Sequence, residues 1–285
     1  MSDERSLVSV VVPVGYVDDL LPLQLRTLAA QDYEGAWELI LSLNSAEPAE
    51  RTRLEKLLAS VDGLEWRIVD SSDLRSASHA RNVGAAAARG ELLLFCDGDD
   101  LADPGWMSAL VTALDGSVAA VGGHLEEDRL AIPGQEDWRP PATPEALPTF
   151  LGQPFLVTAN MGIERAAFEK TGGFDTTLIR GEDIALSWEL LDLGLELAYC
   201  AEAVIHYRHR RGLIPMMKQH YLYGRGFSQI LSRRGVPGQE ASGGLATLKP
   251  NNQAVTAPKG VPYVARRGSI AVGRVVGLIA ARLGR

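Results

Sequence analysis

Cysteine is scarce in this chain: Cys96 and Cys200 are the only two, and neither has metal-ligand spacing. One possible bridge is too little for a disulfide framework, so a reducing, cytoplasmic setting is expected. The N-terminus, Met1-Ser2-Asp3-Glu4-Arg5, lacks a basic segment followed by an apolar one. A signal peptide is therefore not expected. No stretch of about 18 apolar residues is free of charge, which argues against a spanning helix. Acidic residues are absent after Glu240, although the chain as a whole carries a formal net charge of −8. Seven of the 28 basic residues lie beyond that point, so the first 240 residues hold 21 against all 36 acids, about −15, and the tail about +7. An acidic body argues against general nucleic-acid binding. The basic tail needs its own explanation.

What is present is apolar and regularly interrupted. The 285 residues are 46% hydrophobic, enough for one large α/β domain, or one domain with an appendage. The chain is organised around Leu92-Leu93-Leu94-Phe95-Cys96-Asp97-Gly98-Asp99-Asp100. Five apolar residues run into an acidic cluster, which reads as a strand buried on both faces with carboxylates at its end. In open α/β sheets that end is where ligands bind. Asp97 and Asp99 alternate, so extended backbone turns both carboxylates the same way. Their mutual repulsion calls for a cation, and a hard divalent ion shared with substrate phosphates is the usual solution. The alternative is an acidic turn in which Asp100 or Asp103 caps the next helix.

Taken in order, Leu7 to Val14 is a buried β-branched strand, and Asp18 to Ala30 a helix started by Asp18 or Asp19. Trp37 to Leu43 is a second strand ending at Asn44. Pro48 to Val61 is a helix, and Trp66 to Val69 a strand ending at Asp70. Ser76 to Ala88 is a helix of small residues. After the central strand come a helix over Pro104 to Leu114 and a strand over Val118 to Gly123. Alternating strands and helices imply a mostly parallel sheet covered on both faces. Strand ends that are all polar place Asn44, Asp70, Asp97 and Asp99 on one rim. Turn chemistry would explain one such end but not the set. Residues 126–150 are proline-rich and irregular, long enough to suggest a functional loop that lines an acceptor site.

Phe155 to Ile163 reads as another buried strand, followed by a short helix to Thr171 and a turn at Gly172-Gly173-Phe174-Asp175. Glu182 and Asp183 open a helix over Ile184 to Leu193. Acids there favour the helix dipole, which accounts for acidity but not for the need for both. Leu195 to Ile205 is a final strand leading into His206-Tyr207-Arg208-His209-Arg210-Arg211, a cluster suited to metal or diphosphate contact. Lys218 to Arg233 is a surface helix or helix pair, and Val236 to Pro262 a linker or mobile loop. From Tyr263 to Arg285 the chain is apolar and basic, with Val272, Val275, Val276, Ile279 and Leu283 on one helical face. Such a helix either docks on a membrane surface or packs on the acidic body. Gly268, Gly273 and Gly277 weaken it as an autonomous helix.

The order and spacing of these pieces resemble the family 2 glycosyltransferases of the GT-A fold, over roughly residues 7–210. The resemblance rests on Val10-Val11-Val12-Pro13-Val14, Ala80-Arg81-Asn82-Val83-Gly84 with Ala88 and Gly90, Phe95-x-Asp-x-Asp-Asp, Gly172-Gly173-Phe174-Asp175 and Gly181-Glu182-Asp183. It implies a Rossmann-like, mostly parallel α/β sheet with helices on both faces, in a catalytic domain over 1–215. A C-terminal helical extension would occupy 216–285. It implies an inverting transfer of sugar from a nucleotide-diphosphate sugar to an acceptor hydroxyl. Asp99 would ligate Mn2+ or Mg2+, and Asp97 would contact ribose or a metal-bound water. Pro13 and Val14 would line the nucleotide pocket, with Asp70 and Arg81 near the base. Asp183 would be the general base, Glu182 would position the acceptor, and His206 would be a third metal contact.

Two departures fall in the nucleotide pocket. Leu43-Asn44-Ser45-Ala46 stands where the family often has Asp-Asp-Gly-Ser, so Asn44 can contact base or ribose only as a neutral group. Gly15-Tyr16 stands where Tyr-Asn is common. The base is left open among uridine, thymidine and guanosine. The acceptor is left open among polysaccharide, lipid-linked glycan and small metabolite, with the basic tail favouring peripheral contact with the inner face of a membrane through 263–285. An inactive scaffold or carbohydrate-binding protein is the alternative. A nucleotidyltransferase is disfavoured because no Lys or Arg follows Val14 before Arg26.

Overall fold

The continuous apolar runs become the centre of an eight-stranded sheet. The computed structural model describes residues 7–114, 117–135, 138, 146–235 and 260–282. Its elements are β1 (Val8–Val14), α1 (Leu21–Ala29), β2 (Trp37–Leu43), α2 (Pro48–Leu58), β3 (Trp66–Asp70), α3 (Ala77–Ala87), β4 (Leu92–Cys96), β5 (Leu101–Ala102), α4 (Trp106–Ala113), β6 (Val118–Glu126), β7 (Thr149–Phe150), β8 (Gln153–Pro154), β9 (Asn160–Glu164), α5 (Arg165–Lys170), α6 (Glu182–Asp192), β10 (Glu196–His206), α7 (Leu213–Arg233) and α8 (Val261–Arg282). The strand order is β3-β2-β1-β4-β9-β6-β10-β5.

Strands β1 to β4 run parallel, as do β6 and β10. Val8, Val10, Val12 and Val14 share one core with Leu39, Leu41 and Leu43, beneath α1, α2 and α4. Val11, Ile40, Leu93 and Phe95 face the other core, against α3, α5 and α6. Period-two alternation with both faces covered favours apolar residues on both sides, which is why these strands read as nearly continuous apolar runs; the buried exceptions Ser9 and Glu38 satisfy each other, Ser9 donating to Glu38 at 2.8 Å. Phe95 is fully buried, with its ring 5.6 Å from Phe168 and 5.3 Å from Phe174. Its truncation to Ala would cost about 3–5 kcal/mol.

The register aligns the carboxyl ends: Val14 pairs with Leu43, Leu43 with Asp70, and Val11 with Phe95. The expected rim therefore exists. The Phe155–Ile163 strand is shorter than expected, Asn160–Glu164, and it lies antiparallel between β4 and β6. β6 ends and β9 begins at the same rim, and a strand that starts at its neighbour's exit edge must run backwards.

The acidic turn after β4 does not cap the next helix. Leu101 and Ala102 instead form β5, paired antiparallel with His206 and Ile205 of β10, and α4 starts after Gly105 with no side-chain cap. At the first helix Asp18 is the start signal: its Oδ1 accepts from the backbone N–H of Leu20 and Leu21, both at 3.0 Å. One helix, α7, replaces the helix or helix pair expected over Lys218–Arg233. It begins at Leu213, ahead of the expected boundary at 215/216. It joins a third apolar cluster with Phe150, Leu178, Ile184 and Trp188. Most of the linker expected over Val236–Pro262, and part of the 126–150 loop, lie outside the described residues.

Candidate active site

A cleft of about 520 Å³ opens over the carboxyl ends of β1, β2 and β4. Pro13, Val14, Asn44, Arg81, Asp97 and Asp99 line it from the sheet side, and Glu182 and Asp183 from the first turn of α6. Of the residues singled out from sequence, the structure brings these eight together. Asp70 and His206 are not among the lining.

The acidic cluster is compact. Oxygens of Asp97, Asp99 and Asp100 lie within 4.8 Å of one another, a group able to hold a metal ion among the described residues. Burial, then the neighbouring Asp97, pushes the Asp99 carboxyl above its usual range, with Arg210 opposing. Asp100 is more deeply buried, and burial, then Asp97 and Asp99, raises it further. One Asp100 oxygen accepts the Arg208 N–H at 2.7 Å, while the other is buried with no hydrogen-bond partner. Three hard oxygen donors that repel one another, one of them unsatisfied, fit a divalent cation.

Arg81, buried on α3, joins this cluster to the opposite group. It donates to Asp97 at 2.7 Å and to Glu182 at 3.2 Å. Burial alone would lower its proton affinity, but Asp97 and Glu182 outweigh it and the shift is upward. Arg81 is therefore an ion-pair bridge between two carboxylates at the wall of the cleft. Its neighbour Asn82 donates to the Phe174 carbonyl at 2.8 Å and accepts its N–H at 2.9 Å, which ties α3 to the Gly172–Asp175 turn.

Glu182 and Asp183 are delivered by Gly181. It sits ahead of α6 at φ +87°, where a side chain is strained, and a Cβ there would lie 2.7 Å from Ile230 of α7. Asp183 is buried enough that desolvation, then Glu182, pushes its carboxyl up to about 7. That is the range of a group able to take a proton near neutrality.

Asn44 lines the cleft, but its side chain is occupied. Its amide donates to the carbonyls of Ser71 and, at 2.9 Å, of Leu74, and its oxygen accepts the Ser76 N–H at 3.0 Å. It fastens the end of β2 to the start of α3. Asp70 is exposed on β3 and accepts the Ser72 N–H at 2.9 Å. His206, expected as a third metal contact, is engaged by other side chains in this structure. In register with Glu126 across β6 and β10, its Nδ1 lies 2.6 Å from that carboxylate and its Nε2 2.9 Å from Arg129, not in the acidic cluster.

The basic segment after β10 contributes differently. Tyr207, Arg208 and Arg210 line the cleft, and Arg208 donates to the Asp99 carbonyl at 3.0 Å. Gln219, Tyr223 and Phe227 of α7 close another side. The sequence marks the segment without separating its arginines from its histidines. Reading it alone misses the α7 residues, whose spacing of four is the helical signal that could have found them.

A model of the family described as Glycosyl transferase family 2 matches residues 9–172, more than half of the chain. The pre-mycofactocin glycosyltransferase of Mycobacterium tuberculosis is 30% identical over 159 residues, covering 51% of this chain and 33% of that protein. The O-antigen biosynthesis protein RfbC of Myxococcus xanthus is 29% identical over 223 residues, 70% of this chain and 17% of that protein. The chain thus spans a third or less of these relatives. Among solved structures, mannosyltransferase PcManGT from Pyrobaculum calidifontis, in complex with GDP-Man and Mn2+, is similar with a TM-score of 0.64 at 18% identity, covering 99% of this chain and 87% of that one. S. aureus TarS 1-349 in complex with UDP-GlcNAc gives 0.55 at 16% identity, with 98% and 92% covered. These likenesses show the GT-A fold.

Proposed function

The chain belongs to glycosyl transferase family 2, and on that premise we propose that it moves a sugar from a nucleotide-diphosphate sugar to an acceptor hydroxyl, with inversion and with a divalent cation. One observation carries this reading. A single cleft holds a metal-fitting acidic cluster and, across the Arg81 bridge, a carboxylate raised to about 7.

Asp97 and Asp99 would hold Mn2+ or Mg2+, with Asp100 behind them. Bound there, the cation would neutralise charge on the leaving diphosphate. Arg208 and Arg210, in the same cleft, offer phosphate oxygens charged hydrogen bonds. Pro13 and Val14 give the nucleotide an apolar wall, and Asn44 shapes that wall by tying β2 to α3. Asp183 takes the proton from the attacking hydroxyl. Glu182, fixed by Arg81, orients the acceptor. Attack from the Asp183 side, opposite the leaving diphosphate, inverts the anomeric centre in one displacement without a covalent nucleophile. The acceptor is a carbohydrate or glycolipid hydroxyl.

The donors named with the two similar structures, GDP-mannose and UDP-N-acetylglucosamine, are the first to try. The test incubates each with Mn2+ and a panel of sugar acceptors, and reads nucleotide release and the anomeric configuration of the product by NMR. An inverted product, lost in Asp183→Asn, supports the reading. A retained anomeric centre overturns the single displacement.

A further inference from the structure

Helix α8 is packed by the face that the apolar pattern does not predict. Toward α7 it turns Gly273, Gly277, Ile270 and Arg274. A Cβ on Gly273 would collide with the Tyr221 carbonyl, and one on Gly277 would lie 2.8 Å from Ser228. Ser228 donates to the Arg274 carbonyl at 2.8 Å. The helices thus approach through glycine, and the apolar stripe is left outside.

That stripe is Val261, Val264, Val272, Val275, Val276 and Ile279, with Val264 67% exposed and Ile279 52%. Among the exposed described positions of α8, Arg267 alone is charged. Across a shallow groove with almost no polar surface, Ile214 and Met217 of α7 extend the patch toward Gly268 and Val272, with Lys218 on its border. A surface helix ordinarily turns its stripe to the core. A continuous exposed patch marks a docking surface.

Charge selects the partner. From Ala203 to the C-terminus the sequence holds 14 basic residues and one acid, Glu240, about +13; residues 1–202 hold the other 14 against 35 acids, about −21. A second copy docking by the same face would set the exposed cations of the patch, Arg267 and Lys218, against their own counterparts. An anionic lipid surface attracts this segment and repels the body, so the same field that holds the molecule also orients it. No described helix is long and apolar enough to cross a membrane. We propose that the outer face of α8 and the adjoining start of α7 dock this protein on an anionic lipid surface, with the valine stripe at the headgroup boundary. The other side of α7 lines the cleft through Gln219, Tyr223 and Phe227, which puts the cleft one helix away from the lipid.

The test sediments the full chain with phosphatidylcholine vesicles, with and without phosphatidylglycerol, and compares Val272→Glu/Val275→Glu. Both positions are exposed, so the variant should fold, which a matching thermal transition verifies. The expected result is binding only to the anionic vesicles, weakened by salt and reduced about tenfold or more in the variant. A polarity-sensitive dye on Val275→Cys should shift on vesicle addition, whereas one on Glu55→Cys, on the body, should not. The proposal is overturned if wild type ignores anionic vesicles, if the variant binds equally well, or if the dye at 275 does not respond. It is equally overturned if the variant only converts a dimer to a monomer.

Discussion

The Arg81 guanidinium donates to the Asp97 carboxylate at 2.7 Å, while its other arm reaches Glu182 at 3.2 Å. One buried cation thereby fixes the distance between the acidic cluster and the acceptor-side carboxylates. Arg81→Ala leaves two carboxylates without their partner and is expected to cost about 3–5 kcal/mol. Arg81→Lys keeps the charge but cannot hold both groups in a fork. It should fold, bind nucleotide with Mn2+ nearly as wild type, and lose turnover through misplaced Glu182. Calorimetry beside steady-state kinetics separates the two effects. Equal losses of affinity and kcat would place Arg81 in donor binding instead.

Asp183→Asn should abolish most turnover, by about 10²–10⁴, with nucleotide affinity unchanged. In wild type, kcat/KM should fall as pH drops below about 7, because the base is then protonated. The stability effect has the opposite sign. Burial raises the folded-state value above the unfolded one, so Asp183 stabilises the fold at low pH and this contribution is lost as pH rises toward 7. Asp183→Asn should therefore be the more stable protein at pH 8, by on the order of 1 kcal/mol after allowing for cleft water, and not at pH 4. Thermal melts at the two pH values check the sign.

Asn44→Ala removes the link between β2 and α3 and leaves the Ser76 N–H and two carbonyls short of a partner. The expected loss is about 1–3 kcal/mol, read by denaturant unfolding. Nucleotide binding should weaken with it, because the wall it shapes moves.

His206→Ala should leave Mn2+-dependent nucleotide binding intact while lowering stability, since the ring is engaged by Glu126 and Arg129. Loss of the metal dependence, with the fold preserved, would return His206 to the metal site.

What the sequence made legible was what local pattern encodes. The runs Val8–Val14 and Leu92–Cys96, buried on both faces, announce central strands, and the carboxylates after the second announce the rim. Strand direction is not local: Asn160–Glu164 looks like any buried strand, and only its entry from the shared rim makes it antiparallel. The two-residue β5 is too short to carry a period. The Arg81–Glu182 contact spans 101 residues of sequence and has no signature in either segment. For α8, periodicity identified the apolar face correctly but not its direction. Glycines 273 and 277, which weaken a helix alone, allow the closest approach to α7 and so decide which side faces in.

The most direct test of the central claim is calorimetry of UDP, GDP and dTDP, each with and without Mn2+, on wild type and Asp99→Ala. The account predicts that one nucleotide binds wild type only with Mn2+, and that this binding disappears in Asp99→Ala while the fold survives. Binding of no nucleotide to the folded protein, or undiminished Mn2+-dependent binding by Asp99→Ala, would contradict it.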